Sequence, residues 1–131
     1  GCHYTDLTGK PTFTNKWPGT SSIKSSTRAT CLIASNPDQL FLINCDAAAT
    51  QAAVHANANF ATATSGDSTT GKSSAELAVS TAATTNTLNL RIVGYEESPS
   101  NEDTSAAGRL AIVLLNNHFY RYNANGTGAG I

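Results

Sequence analysis

Two segments in the second half of the chain constrain the fold more than any other feature. "NTLNLRIVGYEES" (86–98) sets Leu88, Leu90 and Ile92 against Asn89, Arg91, Val93 and Tyr95. "RLAIVLLNNHFY" (109–120) sets Leu110, Ile112 and Leu114 against Ala111, Val113 and Leu115. A period of two belongs to strands, whose successive side chains point to opposite faces. The polar stretch "PSNEDTSAAG" joins the two segments, which predicts an antiparallel pair connected by a long loop.

Upstream, "RATCLIA" (28–34) and "QLFLINC" (39–45) flank "SNPD". Asn36 and Pro37 suit the first two positions of a type I turn, so the two runs are predicted to form a hairpin. Both runs are apolar on alternate and intervening positions, which predicts a central location covered on both faces. In "DAAATQAAVHANANF" the alanines allow one or two helical turns over 47–54. Val54, Ala56, Ala58 and Phe60 then alternate with His55, Asn57 and Asn59, as in a half-buried strand. "SAELAVSTAATT" (74–85) is open between a helical turn and a strand.

Residues 1–27 carry little periodicity and read as an extended arm with turns at Gly9-Lys10-Pro11 and Pro18-Gly19, anchored by Phe13 and Trp17. The predicted fold is all-β: a small antiparallel β-barrel or sandwich over 28–122, with the extended N-terminal arm, long polar loops and a tail at 123–131.

Composition narrows the function classes. Charged residues make up 13% of the 131 residues, against about 25% in typical soluble domains. Ser, Thr, Asn and Gly take their place, giving a polar, weakly charged surface suited to contact with other proteins. The net charge is −1, and the eight Lys and Arg are scattered, so no basic patch for nucleic acid is predicted. The sequence has no run of 18 apolar residues of the kind that crosses a membrane as a helix. Three cysteines, an odd number, argue against a closed disulfide framework. Cys31 and Cys45 lie in apolar runs and are expected to be reduced, buried thiols. The Cys and His spacings suit no metal site, and no cofactor is predicted.

One stretch matches an enzymatic motif. "GDSTTGKS" (66–73) has the Gly-x4-Gly-Lys-Ser pattern of a phosphate-binding loop. That chemistry needs a buried strand before the loop and a helix starting at its Lys-Ser. "ANFATATS" is polar on alternate residues, and "SSAELAVSTAATT" places Ser and Thr where a helix needs Leu or Ala. The motif is therefore expected to be a surface loop hinged at Gly66 and Gly71, with Lys72 in solvent. Glu96, Glu97, Glu102 and Asp103 cluster among Ser, Asn and Pro and read as a solvated turn. His3, His55 and His118 have no accompanying G-x-S-x-G elbow, so no nucleophilic triad is predicted and the chain is expected not to be an enzyme. Phe119, Tyr120 and Tyr122 surround Arg121 like a base-stacking platform, but without neighbouring basic charge they read as protein-contact residues. With Phe13, Trp17 and His118, they are the candidate contact residues.

A resemblance covers residues 27–131. "ATTNTLNLRIVGYEESPSNEDTSAAGRLAIVLLNNHFYR", closing on Gly-Ile, resembles a family of small virion structural proteins of tailed bacteriophages, especially phages of marine bacteria. "NPDQLFLINCDAAATQAAVHANANF" resembles that family's central region, and "TATSGDSTTGKS" its T-T-G-x-S turn, in which the position of Lys72 is free. The resemblance implies a capsid accessory protein of cement or decoration type. Its partners would be the major capsid protein and neighbouring copies of itself, and its place the virion surface after synthesis in host cytoplasm. It implies no catalytic residues. A β-rich adhesion or carbohydrate-binding domain, using exposed aromatics such as Tyr4, Trp17 or Tyr95, is the alternative; a nucleotide-binding loop protein is a remote one.

Overall fold

A computed structural model describes residues 1–61, 66–67, 69–118 and 120. The expected tail at 123–131 lies outside the described residues. The protein is all-β: its only helical turns among the described residues are three short 3-10 segments. The strands form two antiparallel sheets. The chain divides into two compact units, residues 1–35 with 66–73, and residues 36–65 with 74–131.

In the first unit, β1 (Cys2–Thr5) pairs with β2 (Pro11–Thr14) on one side and β3 (Thr30–Cys31) on the other. The extended segments of the N-terminal arm therefore pair with each other. The turn between β1 and β2 is built on Asp6, whose Oδ1 accepts the Thr8 and Lys10 N–H groups, each at 2.9 Å, and the Thr8 hydroxyl at 2.6 Å. Gly9, with φ 91°, supplies the left-handed residue this turn requires. Cys2 stands directly opposite Cys31 with their Cα atoms 4.2 Å apart, and the two form a disulfide. This corrects the expectation of reduced, buried thiols, and Cys31 is exposed rather than buried. The reason is register: antiparallel pairing brings together two residues that are 29 apart in sequence. Closing a loop of that length stabilises a fold by roughly 3–4 kcal/mol through the unfolded chain.

In the second unit the strand order is β4-β8-β7-β5-β6, with β4 at Leu40–Asn44, β5 at Asn57–Phe60, β6 at Leu77–Ala83, β7 at Leu90–Tyr95 and β8 at Leu110–Leu115. The predicted antiparallel pair of β7 and β8 is present, from Leu90 opposite Leu115 to Tyr95 opposite Ala111. The predicted hairpin between the 28–34 and 39–45 runs is not: β3 pairs with β1, while β4 pairs with β8. The Asn36 turn itself forms, with Asn36 Oδ1 accepting Asp38 N–H at 2.9 Å and Asn36 C=O accepting Gln39 N–H at 3.1 Å. A turn fixes a change of direction locally, whereas pairing is decided by which edge the following strand finds. Nor is β4 central. It lies at the end of the strand order, and Leu40 and Leu42 are 48% and 60% exposed.

The core consists of Cys45, Ala49, Ala58, Leu77, Leu90, Ile92, Tyr95, Ala111 and Val113, all on one face of this sheet or the segments crossing it. Each of the larger aliphatic residues contributes about 1.5–3 kcal/mol by burial. Tyr95 belongs to this core and not to the outer face predicted for it, because β7 carries a bulge. The register shifts between Ile92 and Gly94, so Val93 is an extra residue that turns Tyr95 inward. The face assignment on β5 also changes: Asn57 is buried and Phe60 is exposed. Asn57 Nδ2 donates to Thr85 C=O at 3.1 Å, while the irregular pairing of β5 with β6 shifts the alternation. The two outer strands meet at one end, where Cys45 bridges Leu77 in parallel. Asp46 N–H donates to Leu77 C=O, and Val79 N–H donates to Asp46 Oδ1, both at 3.0 Å. The sheet thus curls without closing into a barrel.

Candidate contact surface

The first unit carries two exposed aromatics, Phe13 and Trp17. Phe13 projects from β2 opposite His3 of β1, and their rings lie 4.6 Å apart. Trp17 follows β2 and is 54% exposed. The segment that carries it is held in place by the 66–73 loop, all within this unit. Thr14 Oγ1 donates to Lys16 C=O, and Lys16 Nζ donates to Thr69 C=O at 2.7 Å. Gly71, at φ 73°, approaches so closely that a Cβ there would lie 2.7 Å from Lys16 Cβ. Trp17 borders two shallow clefts of about 600 and 570 Å³, one shared with Lys16, Asp67 and Lys72, the other with Thr20, Ile23 and Lys24.

The loop with the phosphate-binding letters is therefore a clamp. Asp67 organises it: Oδ1 accepts Thr69 N–H at 2.8 Å and Thr70 N–H at 3.3 Å, and Oδ2 accepts the Thr70 hydroxyl at 2.7 Å. Those bonds, led by the Thr70 hydroxyl, hold the Asp67 carboxyl below the usual carboxylate range. Asp67 and Lys72 bridge in antiparallel fashion, and β6 begins at Leu77 with no helix between. The helix N-terminus that would cradle a phosphate is missing, and Gly66 and Gly71 serve the turn instead. A Cβ on Gly66 would meet the Lys72 carbonyl oxygen at 2.4 Å.

In the second unit the candidate contact residues His118 and Tyr120 lie in different environments. His118 is 7% exposed, so its side chain lies inside, and its Nδ1 accepts Tyr120 N–H at 3.1 Å. Tyr120 is 68% exposed. Phe119 and Tyr122 lie outside the described residues. Asn116 and Asn117 tie the end of β8 to the loop between β6 and β7: Asn116 Nδ2 donates to Asn86 and Leu88 C=O, at 3.1 and 3.0 Å, and Asn117 Nδ2 donates to Thr87 C=O at 3.1 Å. Sequence reasoning overlooked the exposed apolar residues Leu32, Ile33, Leu40 and Leu42, since continuous apolar runs signal burial.

A cleft of about 540 Å³ in the second unit is lined by Val93, Tyr95, Glu96, Glu97, Glu102 and Arg109, among others. Glu96, Glu97 and Glu102 of the predicted carboxylate cluster thus border a concavity, and Asp103 does not. Arg109 sits with its guanidinium carbon 3.9 Å from the Tyr95 ring centre. Its Nε donates to Asn101 C=O at 2.9 Å and its Nη1 to Ala49 C=O at 2.8 Å. Tyr95 Oη donates to Thr50 C=O at 3.0 Å. Arg109 and Tyr95 therefore anchor the 46–54 segment. The Glu96 carboxylate accepts the Ser98 hydroxyl at 2.7 Å. As arranged, the pair stabilises a turn.

No protein family, curated protein or solved structure matches the chain.

Proposed function

We propose that this chain is a non-enzymatic virion structural protein, a capsid accessory protein of cement or decoration type that binds the major capsid protein lattice and stabilises the head. The observation that carries the reading is the set of large apolar side chains left in solvent. Phe13, Trp17, Leu32 and Ile33 are exposed in the first unit, and Leu40, Leu42 and Tyr120 in the second. Such side chains gain by covering, and aromatic residues among them are the usual anchors of protein interfaces. The resemblance of residues 27–131 to phage virion proteins supplies the partner. The weakly charged surface also suits a protein bound in many copies, where repetition makes up for modest single contacts. The alternative of a carbohydrate-binding domain rests on Trp17 and its clefts.

The test is co-sedimentation of the purified protein with shells assembled from the major capsid protein of the same phage. Binding by the parent, weakened at least tenfold by Trp17→Ala and by Phe13→Ala, supports the reading. No binding of the parent to shells, together with its absence from virions by mass spectrometry, overturns it. Binding to glycans with none to shells moves the assignment to the alternative.

A further inference from the structure

Two features of the first unit bear on what holds it together. Among its described residues, Cys2 is the single buried hydrophobic one, while the buried cluster of Leu77, Leu90, Ile92 and Val113 belongs wholly to the second unit. The strands are also minimal. β3 has two residues, joined to β1 by the Cys2–Cys31 and His3–Thr30 pairs and followed by two bonds between Leu32 and Gly1, from Leu32 N–H to Gly1 C=O at 2.8 Å and from the Gly1 ammonium to Leu32 C=O at 3.4 Å. Without β3, the sheet is a two-stranded hairpin of four pairs. An isolated hairpin is marginal in water, and chains near ~40 residues commonly need a covalent staple in place of a core.

We propose that the Cys2–Cys31 disulfide is a redox lock on the N-terminal unit. In an oxidising medium the three-stranded sheet is closed; in a reducing one β3 detaches and the unit opens, while the second unit keeps its fold. The chemistry is thiol–disulfide exchange. A small-molecule thiolate attacks the sulfur of Cys31, the exposed residue of the pair, the Cys2–Cys31 bond breaks, and Cys2 leaves as a thiolate that takes up a proton. A second thiolate attacks the resulting mixed disulfide and frees Cys31. Two reductant thiols have then become one disulfide, and two electrons have passed to the protein. A small-molecule disulfide runs the sequence backwards and resets the lock.

The third cysteine is kept out of this exchange. Cys45 is buried in the second unit's core, where its thiol is pushed up to about 11, first by burial and then by the Asp46 charge. A protonated, enclosed thiol is a poor nucleophile, so the lock has one pairing available to it. A cytoplasm that keeps thiols reduced would hold the unit open, and release from the cell would close it. The proposal does not depend on shell binding.

Hydrogen exchange read by mass spectrometry on the full chain tests it. The oxidised and dithiothreitol-treated forms are compared after intact mass confirms the bond and its reduction. Reduction is expected to lower protection over β1, β2 and β3 on the order of a hundredfold or more and leave β7 and β8 unchanged. The Cys2→Ser/Cys31→Ser double variant should show the open pattern in both media, and Cys45→Ser should keep the parent's difference. Undiminished protection of the first unit after confirmed reduction overturns the proposal. So does an equal loss in β7 and β8, or an oxidised protein whose bond involves Cys45.

Discussion

The side chain of Asn101 brackets the peptide of Leu110: its Oδ1 accepts the Leu110 N–H at 2.6 Å, and its Nδ2 donates to the Leu110 C=O at 3.0 Å. The carboxamide thus presents to the first residue of β8 the donor and acceptor that a neighbouring strand would. Nδ2 also donates to Glu96 C=O at 2.6 Å, just beyond the end of β7. One buried residue in a long polar loop therefore fastens both ends of the β7–β8 connection.

Asn101→Ala should lower stability by about 1–3 kcal/mol, because it removes the side-chain partner of the Leu110 N–H and of the Glu96 C=O, while the Leu110 C=O keeps the Glu96 N–H. Asn101→Asp should come close to it, since the carboxylate cannot donate. Chemical denaturation followed by circular dichroism measures the loss. A change below about 0.5 kcal/mol for both variants means that water replaces the amide without cost.

Gly71→Ala should destabilise the first unit by roughly 1–3 kcal/mol, as it adds a Cβ at φ 73° and drives it into Lys16. Trp17 emission should shift as its segment loosens. Lys72→Ala, by contrast, should leave calorimetric titration with ATP or GTP unchanged from the parent. A nucleotide heat present in the parent and lost in this variant contradicts the account of the loop as a clamp.

Three exposed carboxylates share one device. Asp6 accepts from Thr8 and Lys10, Asp67 from Thr69 and Thr70, and Asp103 from Ser105. Each is held below the usual value of 3.8, and in each case the largest cause is a Thr or Ser hydroxyl donating to the carboxylate. A lowered acid pKa adds stability that is present above pH 3.8 and lost as pH falls through the folded value. Carboxyl NMR titration should give midpoints below 3.8 for these three residues, returning to ordinary values in urea. Ordinary midpoints in the folded protein would remove the turns from the list of acid-sensitive elements.

Cys45 should resist iodoacetamide at pH 8 in the native protein and react on unfolding. Its raised pKa also carries a sign. The folded state holds the proton more tightly, so stability is unaffected below the ordinary value of 9.0 and falls as pH rises towards about 11. Replacement by Ala should abolish that alkaline loss while costing about 1 kcal/mol for the cavity.

What the sequence disclosed follows from which interactions are local. β7 and β8 could be read because their alternation is long and unbroken, and the turns at Gly9 and Asn36 because their residues bond their own neighbours. The fate of Tyr95 was hidden: a bulge at Val93 adds a residue without leaving a mark in composition. The pairing of Cys2 with Cys31 was hidden too, because it depends on the register of two strands that look unrelated. Of the candidate contact residues, Phe13, Trp17 and Tyr120 are exposed and His118 is buried, a difference the sequence does not show because a histidine after a strand has no pattern that separates an inward from an outward rotamer.

The Cys45–Leu77 bridge has a mechanical consequence. It ties the two end strands of the open five-stranded sheet at one point, a single clasp at one end. A pull that peels β4 outward must strain the Leu77 and Asp46 bonds at the clasp as well as the ladder to β8. Load applied at that end of β4 is then shared with β6 instead of falling on the β8 ladder alone.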